Sequence, residues 1–123
     1  MSTTIYDRYG GFSVVRKIVS SFYDRCLESS VIGHRFESID MARLIDHQSR
    51  FIATVMGGPA SYSDEHLRRI HGHLAISHVE FAEMASLLQQ TLEDHDFADA
   101  DVTAVIDEIR SREGSVVADA LPA

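Results

Sequence analysis

Seven histidines (His34, His47, His66, His71, His73, His78 and His95) are the side chains best suited to hold a metal or move a proton near neutral pH. Their surroundings remove most of the usual arrangements. One cysteine, Cys26, and no Cys-x-x-Cys pair leave structural zinc without its ligands. His-Glu-x-x-His is absent. A di-iron bundle needs Glu-x-x-His on facing helices. The residues three places before the histidines are Val31, Leu44, Ser63, Arg68, Ile70, Ala75 and Leu92, none a carboxylate. His66 and His71 would stand about 140° apart around a helix, too far round to share an ion. Cys26 falls inside an apolar stripe, where it is expected to be an inert core residue. No Gly-x-Ser-x-Gly elbow, Walker loop or dinucleotide fingerprint occurs.

Two residues remain. Gln48 falls in the middle of an apolar helix face, where burial without a partner would cost a few kcal/mol. It is either bonded to neighbouring backbone or aimed into a cavity as a donor. His71 would end a short helix among Leu67, Ile70, Leu74 and Ile76. A histidine in an apolar wall is commonly structural. Yet a cavity with glutamine on one side and histidine on the other is also how a helical protein would hold haem.

The elements that must position these residues read as helices throughout. Val14, Val15, Ile18, Val19, Phe22, Tyr23, Cys26 and Leu27 form one broad stripe of helical period, opened by Ser13 as a cap. A helix starting near Asp40 carries Met41, Leu44, Ile45, Phe51, Ile52, Val55 and Met56 on the face that includes Gln48. After the Gly57-Gly58-Pro59 break a short helix is expected around Asp64–His71, ended by Gly72. Ser77-His78-Val79-Glu80 has the form of a capping box. It opens a helix with Phe81, Met84, Leu87, Leu88, Thr91 and Leu92 on one face. Asp99 begins a last helix through Val102, Val105, Ile106 and Ile109, with Val116 and Val117 beyond Gly114 as a continuation. No segment alternates like a strand. The expectation is an all-α chain of about five main helices.

Composition narrows the partners. At 123 residues and 13.7 kDa the chain is sized for one domain, residues 1–123 with a core over about 4–117. Eleven basic against nineteen acidic residues give a formal charge of −8, which repels phosphate backbones and anionic lipid. Neither nucleic acid nor a membrane is therefore expected as a partner. The lone cysteine fits a reducing compartment, and no apolar run approaches membrane-spanning length. A cytoplasmic protein is expected.

Several pieces then fall in a shared order: Tyr-Gly-Gly at 9–11, Phe22-Tyr23 with Arg25 and Leu27, and Phe36. Met41-Ala-Arg-Leu44 with Gln48 and Phe51 follows, then Gly57-Gly58-Pro59, and His71 with Ile76 and Phe81 five and ten residues on. In this order, from about Thr4 to about Val117, the chain resembles the truncated haemoglobins, short globins built as a two-over-two helical sandwich around haem. The Tyr23–Gln48 pair and the absence of tryptophan resemble group I of that family.

The resemblance implies haem b, with His71 as the proximal iron ligand and Phe36 stacked on the porphyrin. Tyr23 and Gln48 would hold a ligand on the iron by hydrogen bonds, with Leu44 nearest that ligand. Phe51, Leu67, Ile70, Ile76, Phe81 and Met84 would line the pocket. Three positions depart from the common pattern. Ile52 stands where some relatives have a phenylalanine gate, and Met84 where a smaller aliphatic residue or tryptophan is usual. His47 stands where many relatives have a lysine or arginine on a haem propionate, and in some cyanobacterial members a histidine there binds iron, so it is a candidate sixth ligand.

The implied function is binding or transport of O2 and binding of NO and CO, with oxidation of NO to nitrate if an external reductase supplies electrons. The alternatives are a bis-histidyl redox or nitrosative and oxidative stress-protection protein, and a haem-free globin-fold interaction module. A monomer or weak dimer is expected.

Overall fold

The structure is a computed structural model that describes residues 4–58 and 77–111. Its first helix, α1 (Ile5–Arg8), is a single turn capped by Thr4, whose hydroxyl accepts from the Asp7 amide at 3.0 Å. So short a helix has no stability of its own. It is held from outside: the Tyr6 amide donates to the Met56 carbonyl at 3.0 Å.

Gly10 and Gly11 turn the chain into α2 (Phe12–Glu28) with φ of 110° and 79°, a region where side chains other than glycine are strained. The expected cap at Ser13 is replaced. Gly11 occupies the N-cap, and its carbonyl receives the amides of Val14 and Val15 at 3.2 Å without side-chain help. The α2 stripe is buried at Val15, Ile18, Val19, Phe22, Tyr23 and Cys26, as its period predicts. Val14 is half-buried, and Leu27, next to last in the helix, is 46% exposed.

A single-turn 3-10 helix, Gly33–Phe36, leads to α3 (Met41–Val55). The Asp40 carboxylate caps α3 by accepting from the Arg43 amide at 3.2 Å. The capping box is formed as read: the Ser77 hydroxyl accepts from the Glu80 amide at 3.1 Å, and the Glu80 carboxylate accepts from the Ser77 amide at 3.0 Å. It opens α4 (His78–Asp94), and α5 (Asp99–Ser111) follows after a tight corner at Asp96.

α2 packs on α3 and α4 on α5, and the two pairs meet through α2–α4 and α3–α5. The described residues contain five α-helices and no strand. The short helix expected around Asp64–His71, with His66, Leu67, Ile70, His71 and Ile76, lies outside the described residues, as do Val116 and Val117.

One contact group closes the far side of the bundle. Tyr9 stacks on Phe97 at 3.7 Å, and its hydroxyl donates to Asp101 at 2.7 Å while accepting from the Ala98 amide at 3.0 Å. Arg8 meets the same carboxylate with two bonds of 2.9 and 2.7 Å. These bonds anchor α1 to α5.

Candidate functional site

The periodic faces of α2, α3, α4 and α5 do not close completely. They leave a cleft of about 60 Å³, room for a few water-sized molecules, lined by Phe22 and Tyr23, Gln48, Phe51 and Ile52, Phe81, Met84, Ala85 and Leu88, and Ile109. The wall is apolar except at two places.

The first is Tyr23, 4% exposed, whose ring is held edge-on by Phe22 at 4.8 Å and Phe36 at 5.7 Å. Its hydroxyl has no hydrogen-bond partner among the described residues. No sealed side-chain nitrogen or oxygen there lacks a partner, so this hydroxyl opens onto the cleft that Tyr23 lines. Burial pushes the phenol well above its ordinary pKa, so the group stays protonated and remains a donor. The second place is Gln48, 6% exposed, on the α3 face that also brings Phe51 and Ile52 to the cleft.

Five of the site residues named from the sequence therefore converge, Tyr23, Gln48, Phe51, Phe81 and Met84, together with Ile52 from the gate position. Phe36 stands behind them as a prop for the Tyr23 ring. Leu44 and His47 are half-buried on α3, apart from the cleft lining. Leu67, Ile70, His71 and Ile76 lie outside the described residues. The sequence does not mark Phe22, Ala85, Leu88 and Ile109 as lining residues, because an apolar residue facing a cleft has the same periodicity as one facing a solid core. Cys26 sits in the core beside Tyr23, and burial, followed by the Glu83 charge, pushes its thiol up to about 12. It is inert at neutral pH, as its place in the stripe suggests.

Residues 4–117 match the family described as bacterial-like globin. The chain belongs to that family. Among globin relatives, the group 1 truncated hemoglobin GlbN of Synechocystis is 34% identical over 76 residues, a match that spans 62% of this chain and 61% of that protein. A Nostoc group 1 truncated hemoglobin GlbN is 23% identical over 94% of this chain and 98% of its own. The truncated hemoglobin of Tetrahymena pyriformis in its Fe(III) form superposes with a TM-score of 0.84 at 23% identity, covering 94% of this chain and 98% of that one. The two-over-two hemoglobin of Synechococcus, solved in the cyanomet state with covalently attached heme, gives 0.85 at the same identity and the same coverage. The fold is thus the all-α truncated globin sandwich expected from the sequence, and the two GlbN relatives are group 1 truncated hemoglobins.

Next to Phe81, which lines the cleft, Glu80 is the most strongly shifted carboxylate among the described residues. Arg35 bonds Glu80 through two contacts of 2.6 Å, and these hold the Glu80 carboxyl down at about 2, with the Ser77 bonds adding to the effect and burial opposing it. A depressed value in the folded state means a stabilisation present in full above the ordinary carboxylate pKa of 4.5 and lost as pH falls through about 2. The urea midpoint should therefore fall between those limits, and less steeply in Glu80→Gln. Equal slopes for the two proteins would show that Glu80 does not carry this dependence.

Proposed function

We propose that this chain binds haem b and uses it to take up O2, NO and CO reversibly, with His71 as the protein's iron ligand and Tyr23 and Gln48 as donors to the gas. The observation carrying this reading is the convergence of a protonated phenol, without a hydrogen-bond partner among the described residues, and a buried amide on an otherwise apolar cleft, in a chain of the globin family. In chemistry that lining fits the group; in size, about 60 Å³ between the described residues matches a diatomic ligand rather than the macrocycle. Phe51, Phe81, Met84 and Leu88 offer apolar surface to a flat macrocycle, and the two polar side chains suit one small polar ligand. Bound haem would supply the iron that coordinates a diatomic gas and, with bound O2 as the oxidant, the chemistry by which NO becomes nitrate; the electron that returns the iron to its ferrous state would come from an external reductase.

The protein's own part is binding and orientation. The Tyr23 Oη–H and the Gln48 amide N–H donate toward the ligand, and the apolar wall keeps out the water that would compete for those bonds. Phe36 holds the Tyr23 ring so that its hydroxyl arrives without a search over rotamers. His47 is the variable part of the reading. As a sixth ligand it would make the resting protein bis-histidyl and favour a redox or stress-protection role; turned outward, it leaves gas binding open. Among the described residues no helix is long and apolar enough to cross a membrane.

Titration of the purified chain with haemin tests the proposal. Uptake of one equivalent with a sharp Soret band is expected. A chain that stays colourless would favour the haem-free interaction module.

A further inference from the structure

Arg35 and Glu80 are 45 positions apart, and each directly precedes an aromatic residue of the site. Phe36, after Arg35, props the Tyr23 ring at an interplanar angle of 77°. Phe81, after Glu80, lines the cleft itself. The two bonds from Arg35 Nε and Nη2 to Glu80 Oε2 and Oε1, both 2.6 Å, therefore tie together the two pieces of chain that carry these rings. A second rung lies nearby, where the Ser29 hydroxyl donates to Glu83 at 2.6 Å. The Glu80 side chain is 9% exposed, so salt screens the pair much less than it would a surface one. Its planar fork geometry also fixes orientation as well as distance. His34 Nε2 stands 4.0 Å from the same carboxylate and adds attraction when protonated.

We infer that the Arg35–Glu80 pair is a positioning clasp: it holds the Phe36 and Phe81 edges of the cleft together and so keeps the Tyr23 hydroxyl in reach of a bound ligand. The inference rests on the haem reading above and assigns control of that site to two residues outside it. Neither residue is part of the cleft lining.

The chain supplies its own control. Arg8–Asp101 is also a two-bond arginine–carboxylate pair, at 2.9 and 2.7 Å, but it joins α1 to α5, and neither partner lines the cleft. Glu80→Gln removes the charge while leaving an oxygen that can still accept from the Ser77 amide, since a capping box tolerates glutamine. In the haem-loaded protein this change is expected to raise the O2 off-rate by about fivefold and haem transfer to excess apomyoglobin by about tenfold, the scale of one weakened charge-assisted contact. Asp101→Asn should leave both rates within about twofold at a comparable loss of unfolding midpoint.

Two further arms separate positioning from plain stability. In a Tyr23→Phe background the Glu80→Gln effect on O2 escape should vanish, because the hydroxyl through which it acts is gone. The reversed pair Arg35→Glu with Glu80→Arg should recover much of the wild-type rate. The clasp is overturned if Glu80→Gln and Asp101→Asn change the rates alike, or if the effect survives in Tyr23→Phe. A wild type that takes up no haem overturns the haem reading and the clasp with it, whereas normal uptake with unchanged variant rates overturns the clasp alone.

Discussion

A His71→Gly protein is expected to purify with little or no haem and to take haemin up stably only when imidazole is added. With His71 as the proximal ligand, its loss would remove the chain's principal bond to the iron and leave mainly apolar contact to retain the group. His71 is the histidine that the order of motifs singles out, five residues before Ile76 and ten before Phe81. Imidazole restores the ligand without restoring the chain, so its rescue separates loss of coordination from loss of fold. Full haem content and an unchanged spectrum without imidazole would reject the assignment.

Removing the two donors should have the next largest effect. Tyr23→Phe keeps the ring between Phe22 and Phe36 and deletes only the hydroxyl that opens on the cleft. One lost bond of about 1.4 kcal/mol corresponds to a tenfold faster O2 off-rate. Combining it with Gln48→Leu should bring the increase to about a hundredfold, while CO, a weaker hydrogen-bond acceptor, should respond less. Stopped-flow displacement of O2 by CO reads the rate directly. An off-rate unchanged in the double variant would show that neither residue is the donor.

Of the two donors, Gln48 is legible from the sequence by contrast: a polar side chain in the middle of the apolar α3 face stands out because burying such a group demands a partner. Tyr23, one more member of the α2 stripe, is marked only by the family resemblance. The apolar lining has no such contrast. Ala85, Leu88 and Ile109 obey the same helical period whether they meet a solid core or an open cleft, and only the packing of four helices decides which. The capping box showed Glu80 as a local device, and the local bonds to Ser77 are there. Its larger partner, Arg35, was invisible because nothing along the chain relates two residues that far apart. The turn carrying Phe36 was likewise unread as an element: a single 3-10 turn is too short to show a period. Gly11 in place of Ser13 at the start of α2 shows the opposite failure, where a good capping side chain is set aside because a glycine at positive φ has already turned the chain one step earlier.

The most direct test of the account is the optical spectrum of the haem-loaded protein in its ferric, deoxy-ferrous and CO forms. A deoxy-ferrous spectrum that converts fully and reversibly on adding CO is predicted, as the proposal has the cleft admit a diatomic gas to an iron held by His71. The same spectra place His47: a high-spin deoxy form leaves it off the iron, and a low-spin form that becomes high-spin in His47→Ala puts it on. A ferrous protein whose spectrum does not change under saturating CO, in both the wild type and His47→Ala, would contradict gas binding as the function of this cleft.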